Sequence, residues 1–185
     1  MGFVILILGV ALWAGAHLFK RLAPGPRGKL GNAGKGLVAL ALVASIVLMV
    51  IGYRAAPFIN VWMPPAWTVH INNLLMLIAL WLMSPAPKRG KLVAGMRHPM
   101  LTGFKLWAVA HLLVNGDLSS ILLFGGLLAW SVAAVITINR ADRAWVKPQT
   151  NGSYVMDAAF LAASVVLLGI IGFIHNWLGV WPFPS

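Results

Sequence analysis

The residues of this chain that can bind a metal ion or carry a proton near neutral pH are five histidines. They are His17, His70, His98, His111 and His175. Cysteine is absent, and all three acidic residues are aspartates. Thiolate-bound zinc, iron–sulfur clusters and carboxylate-bridged metal sites built on glutamate are therefore excluded. Imidazole remains the one strong ligand for a transition metal.

The elements that must position these histidines are apolar helices. The chain has 185 residues, of which 61% are hydrophobic and 9% are charged, against about 25% charged residues in soluble domains. A membrane-spanning helix needs about 20 mostly apolar residues. Six segments are candidates: Gly2–Phe19, Gly36–Gly52, Trp67–Met83, Met100–Val114, Leu118–Ile138 and Val155–Trp177. We predict an all-α, polytopic integral membrane helical bundle of about six transmembrane helices, forming a single domain over residues 1–185.

The basic residues predict the orientation of this bundle. Of the 14 Lys and Arg residues, five lie in the first loop, one in the second, four in the third, none in the fourth and three in the fifth. This alternation places both termini outside under the positive-inside rule. No basic residue precedes the first segment, so we expect it to be a retained helix rather than a signal peptide. The basic residues of the predicted cytoplasmic loops account for most of the net charge of +11. The expected partner is therefore the lipid bilayer, and no nucleic-acid partner is expected.

Two pairs of small residues predict where helices approach closely. Ala11 and Gly15, and Ala158 and Ala162, are each four residues apart, which is the spacing found at tight helix contacts in membranes.

The predicted topology sorts the histidines by depth. His17 and His98 fall at the inner face, and the other three fall in the outer half. His98 and His111 are 13 residues apart, about 20 Å along a helix, so they cannot share one metal ion. The inner pair can clamp the two faces of a porphyrin, with Arg21 and Arg97 near its propionates. Each histidine can equally be a hydrogen-bonded packing residue, and that alternative stays open.

The stretch from Arg97 to Asp117 is the most distinctive. It begins Arg97-His98-Pro99 and ends in the turn Asn115-Gly116-Asp117, where Asp117 is expected to be a turn and cap residue. Trp107 and His111 are four residues apart and therefore share a helix face. This stretch resembles the NnrU family of bacterial membrane proteins. Weaker matches are Gly15-Ala16-His17-Leu18 and the Trp62–Trp67 segment followed by His70, and the resemblance is strongest over residues 1–140.

The resemblance implies a cofactor and two kinds of activity. NnrU-like proteins are associated with nitric oxide and nitrite metabolism in denitrifying bacteria, and the family includes the plant zeta-carotene isomerase, which uses haem b held by histidines. It implies haem b bound by His17 and His98, with Trp107, His111 and His70 as further cofactor-site residues. The expected ligand is small and apolar or diatomic, and an enzymatic activity would be haem-dependent cis–trans isomerisation of a polyene. The implied location is the bacterial inner (plasma) membrane, with several passes.

Two other classes of function stay open. Arg97-His98-Pro99 also resembles the motif with which some membrane methyltransferases hold S-adenosylmethionine. Against this interpretation, those enzymes use acidic residues and a further motif near the C-terminus, whereas this chain has no glutamate and offers only Asp142 and Asp157 there. A non-enzymatic assembly factor for a respiratory complex leaves no sequence signature.

Overall fold

A computed structural model describes residues 1–149 and 151–184, and these residues form helices and no strand. In chain order the helices are α1 (Gly2–Leu22), α2 (Pro24–Lys29), α3 (Ala33–Ala55), α4 (Thr68–Met83), α5 (Ala86–Arg89), α6 (Pro99–Val114), α7 (Leu118–Ser120), a π-helical segment (Ile121–Gly125), α8 (Gly126–Ala141) and α9 (Tyr154–Trp177). The segment from α7 to α8 is continuous, so Leu118–Ala141 is one helix of 24 residues.

The predicted all-α fold is confirmed. Within the described residues, four helices are long and apolar enough to cross a membrane, namely α1, α3, the helix Leu118–Ala141 and α9. The third and fourth predicted segments form α4 and α6, which are apolar but have only 16 residues each. At about 1.5 Å per residue each is about 24 Å long, shorter than the hydrocarbon core of about 30 Å.

The chain divides into two units, each built from two separate stretches of sequence. Unit 1 contains Met1–Met63 and Asn115–Asp142, and unit 2 contains Pro64–Val114 and Arg143–Ser185. Each unit is described by itself below, and the single-domain organisation stays a prediction.

In unit 1, α1 and α3 pack as an antiparallel pair through small residues. Gly2, Leu6 and Gly9 form the buried face of α1. A Cβ atom added at Gly9 would lie 2.8 Å from the Met49 side chain, and one added at Gly52 would collide with the backbone of Leu6. Because lipid tails are as apolar as the helix surfaces, such close packing is a main source of helix association in membranes.

The two pairs of small residues predicted from the sequence do not lie at helix contacts, so that prediction is wrong. Gly15 has no neighbour within 4 Å of an added Cβ atom, and Ala11, Ala158 and Ala162 are exposed. The packing face of α1 is set by Gly2 and Gly9 instead, because those positions lie on the same side of the helix as the buried Leu6.

The Asn115-Gly116-Asp117 turn joins the two stretches of unit 1. The Gly116 carbonyl accepts hydrogen bonds from the amides of Val61 (2.8 Å) and Trp62 (3.1 Å). A side chain at Gly116 would collide with the Trp62 carbonyl, so this close approach requires glycine. Asp117 accepts from the Ser120 amide at 2.9 Å and from its hydroxyl at 2.6 Å. The predicted turn and cap role of Asp117 is therefore confirmed.

In unit 2, α4 contacts both α6 and α9. The buried residues of α4 fall on one helix face: Thr68, Asn72, Met76, Ala79 and Leu82. Gly103 lets α6 approach this face, because an added Cβ atom would lie 2.7 Å from the Ala79 carbonyl oxygen and 3.2 Å from the Leu82 side chain.

The α1–α3 contact predicts a position-specific effect of substitutions in α1. Gly9→Leu should destabilise the protein by about 1–3 kcal/mol through overpacking and lower the unfolding midpoint by about 2–12 °C. Gly15→Leu is the matched control, because it makes the same change in the same helix at a site with open space. The midpoints are measured by circular dichroism in detergent. Equal midpoints for the two variants would contradict the described packing.

Candidate functional site

His17 lies on an exposed face of α1 in unit 1. Its Nδ1 atom is 3.1 Å from the Trp13 carbonyl oxygen, one turn earlier. A carbonyl oxygen only accepts hydrogen bonds, so Nδ1 carries the proton and Nε2 keeps its lone pair. Metal-bound histidines commonly show this arrangement, in which the hydrogen bond fixes both the tautomer and the ring orientation.

Two tryptophans flank the His17 ring. The ring centroids of Trp13 and Trp130 lie 4.3 Å and 4.6 Å from that of His17, and the two tryptophans meet edge to face at 5.5 Å. Trp13 is four residues before His17, so the sequence spacing signals that contact. No sequence signal identifies Trp130, because it comes from α8.

Trp130 reaches His17 because its helix passes close to α1. Gly126 faces Val10, and a Cβ atom added at Gly126 would lie 2.7 Å from the Val10 side chain. The π-helical segment Ile121–Gly125 lies immediately before this contact. A π-helical turn changes the angular register of the residues that follow it and is often found near functional sites.

Arg21, expected near a porphyrin propionate, lies four residues after His17 in the last turn of α1 and is exposed. The spacing places the two side chains on one helix face. Unit 1 therefore offers the Trp13 indole, the His17 imidazole and the Arg21 guanidinium group along about two turns of α1, with the Trp130 indole of α8 beside the imidazole.

In unit 2, Arg97 and His98 lie just before α6, and both are partly exposed. The His98 carbonyl accepts the first helical hydrogen bond, from Thr102, at 2.9 Å. Both residues line a pocket of about 300 Å³, together with Leu82, Ser84, Pro87, Lys88, Pro99, Met100 and Leu101. The guanidinium carbon of Arg97 also lies 5.8 Å from the centroid of the Trp145 ring, within cation–π range.

Asp157 of α9 holds the segment that leads to Arg97 and His98. Its side chain is 3% exposed, and Oδ2 accepts hydrogen bonds from the amides of Lys91 at 2.7 Å and Leu92 at 3.1 Å. Its backbone carbonyl accepts from the Trp81 indole at 3.2 Å. From its sequence position alone, Asp157 is indicated only as a candidate methyltransferase acid. The available signal was a single acidic residue in the first turn of an apolar helix.

The three other histidines are His70, His111 and His175, which the predicted topology places in the outer half. The predicted shared face of Trp107 and His111 is confirmed, since their ring centroids are 5.0 Å apart and His111 Nδ1 is 2.9 Å from the Trp107 carbonyl oxygen. His175 Nδ1 is similarly 2.8 Å from the Ile171 carbonyl oxygen. His70 is exposed near the start of α4.

These placements define what the structure brings together. No cluster of three or more metal-ligating side chains (histidine, cysteine, aspartate or glutamate) occurs among the described residues. His17 belongs to unit 1, whereas His98, His70, Trp107, His111 and Arg97 belong to unit 2. The pairing of His17 with His98 stays a prediction.

Comparison with known proteins decides the family. The sequence model of the NnrU protein family matches residues 5–182. This chain belongs to the NnrU family. The match extends past residue 140, where the resemblance found from the sequence weakened, and it includes the whole of α9. No curated protein and no solved structure matches the chain. Asp157 and the amides that it binds lie within the matched residues.

The Asp157 hydrogen bonds predict a local effect on the chain before His98. Asp157→Ala leaves the Lys91 and Leu92 amides without their acceptor, at a cost of about 1–3 kcal/mol. Hydrogen–deuterium exchange of a peptide covering residues 88–96 should become faster. Asp157→Asn keeps an acceptor oxygen of the same shape and should retain most of the protection. Unchanged exchange in Asp157→Ala would show that the carboxylate does not hold this segment.

Proposed function

We propose that this NnrU protein binds haem b within the membrane, with His17 and His98 as its two axial ligands. The observation that carries the proposal is the Nδ1–H hydrogen bond from His17 to the Trp13 carbonyl, which leaves Nε2 with the lone pair that iron needs. His111 and His175 make the same kind of bond. His17 differs from them because its ring is both exposed and flanked by two indoles.

The residues present fit a porphyrin. Trp13 and Trp130 offer an apolar surface beside His17, and Arg97 and Lys88 offer positive charge beside His98. Arg21 and Arg97 are the proposed partners of the two propionates, since each lies within four residues of an axial histidine. Bound haem supplies one-electron chemistry and a site for diatomic ligands, tuned by its axial ligands and their hydrogen bonds. The chain itself holds and orients the two imidazoles and supplies apolar walls.

The proposed membrane arrangement has six spans with both termini outside, in the bacterial inner membrane. The alternation of basic residues between loops supports it. The two short helices, α4 and α6, would then be spans. They would require either local thinning of the bilayer or flanking polar side chains that extend from the helix ends to the interface. In this arrangement His17 and His98 both lie toward the cytosolic face.

The function that this site supports best is haem-dependent handling of a small apolar or diatomic ligand, in the nitric oxide and nitrite metabolism associated with the family. Isomerisation of a polyene would use the same proposed haem and the same two histidines. Added nitric oxide and an added polyene are the probes that separate these two uses, once haem binding is established by the following experiment.

The test is an absorption spectrum of the purified protein, oxidised and then reduced, after expression with ample haem. The wild type should show a Soret band that shifts on reduction. His17→Ala and His98→Ala should each lower the haem content by more than about tenfold, since even the loss of partners around the ligands costs that much in metal-site affinity. His175→Ala is the matched control, because it removes a histidine with the same backbone hydrogen bond, and it should leave the haem content unchanged.

Two outcomes would contradict the proposal. A wild-type protein without a Soret band would refute haem binding. If that protein gave heat on titration with S-adenosylmethionine, the methyltransferase alternative would be favoured instead. If His70→Ala and His111→Ala lost haem while His17→Ala and His98→Ala kept it, the proposed pair of axial histidines would be wrong.

A further inference from the structure

The two shortest apolar helices of the protein pack against each other and end at the same pocket. Helix α4 ends at Met83 and α6 begins at Pro99, and residues from both ends line the pocket, including Leu82, Pro99 and Leu101. Each helix is about 24 Å long and so falls about 6 Å short of the hydrocarbon core. A span that is too short is accommodated by thinning of the bilayer, which draws lipid headgroups toward its ends.

The pocket is positively charged. Its lining includes Lys88, Arg97 and His98, and it includes no acidic residue. Unit 2 as a whole carries seven Lys and Arg residues and a single acid, Asp157. The Asp157 carboxylate is buried and bound to the Lys91 and Leu92 amides, and it is not among the pocket's lining residues.

Apolar side chains also line this charged pocket. They include Leu82, Leu101 and Met100, and Met100 is 65% exposed. An ion free in water gains nothing from such neighbours, whereas the acyl chains of a lipid can lie along them. The combination of positive charge with an apolar lining therefore favours an amphipathic ligand with an anionic head.

We propose that the pocket lined by Lys88, Arg97 and the start of α6 binds the phosphate of an anionic phospholipid headgroup. The exposed ammonium group of Lys88 supplies a charged donor that is free to turn toward the phosphate. The amide groups in the first turn of α6 point the positive end of the helix dipole toward the same region. Basic pockets between membrane helices are known binding places for such headgroups.

This proposal does not require haem, although both proposals use Arg97. The test of lipid binding changes Lys88, whereas the test of haem binding changes His17 and His98. Either proposal can therefore fail while the other stands. The absorption spectrum of each sample records the haem content independently of lipid binding.

The test is native mass spectrometry of the full chain released from detergent micelles, with phosphatidylglycerol and phosphatidylcholine as the probes. The wild type should retain one phosphatidylglycerol molecule in preference to phosphatidylcholine. Lys88→Gln should weaken this retention by about tenfold, which corresponds to the loss of one charge-assisted hydrogen bond. Arg89→Gln is the matched control, since it removes an adjacent exposed charge that does not line the pocket, and it should retain the lipid as the wild type does.

A second arm separates the lipid from free phosphate. Inorganic phosphate at the same concentration should not displace phosphatidylglycerol, because the acyl chains contribute to binding. Displacement by inorganic phosphate would make the pocket a site for soluble anions and overturn the proposal. Equal retention of phosphatidylglycerol and phosphatidylcholine, or equal losses in Lys88→Gln and Arg89→Gln, would also overturn it.

Discussion

Helices that are surrounded by hydrocarbon are not driven together by the hydrophobic effect, and this constraint governs how the present helices pack. Leucine gains little by leaving lipid for another apolar surface, so helices must attract each other through close van der Waals contact and a few polar bonds. Glycines supply the close contact in both units. Gly9 and Gly52 bring α1 and α3 together, and Gly103 brings α6 onto α4. Most large aliphatic residues of α3 and α9 remain exposed, which is the pattern of surfaces that meet lipid.

Two of the three acidic residues act at the ends of helices, where the chain must turn. Asp117 binds Ser120 at the start of α7, and Ser120 is 2.8 Å from the Tyr53 hydroxyl. Asp157 binds the amides of Lys91 and Leu92 from the first turn of α9. Asp157 thus joins stretches 66 residues apart in sequence, whereas Asp117 orients the Ser120 hydroxyl that makes the contact with Tyr53, 67 residues away. In a chain so poor in acids, this structural use leaves little carboxylate for general acid or base chemistry.

The all-helical fold could be predicted from the sequence, because long apolar runs in a chain with few charges are typical of helices that meet a bilayer. The differences fall at helix ends. Helix α1 continues through Lys20 and Arg21 to Leu22, since backbone hydrogen bonding does not stop where hydropathy falls and basic side chains can extend to the interface. The candidate site was less predictable. The contact of Trp130 with His17 depends on the register set by Gly126 and the preceding π-helical segment, which no local pattern reveals. The prediction of the packing faces was wrong for the same reason. A pair of small residues forms a close contact only where another helix packs against it, and the local sequence does not show where that is.

Each unit is interrupted in the sequence by part of the other, and this has a consequence for biogenesis. Synthesis proceeds from the N-terminus, so the hairpin of α1 and α3 emerges early, yet its remaining partner arrives only after about fifty further residues have left the ribosome. The middle stretch in turn waits for α9. Unit 2 has therefore started before unit 1 is complete, so the nascent chain must persist with unfinished units until α9 has been made. A cut between α6 and α7 would leave both units incomplete, because each fragment would hold only one of the two stretches of each unit.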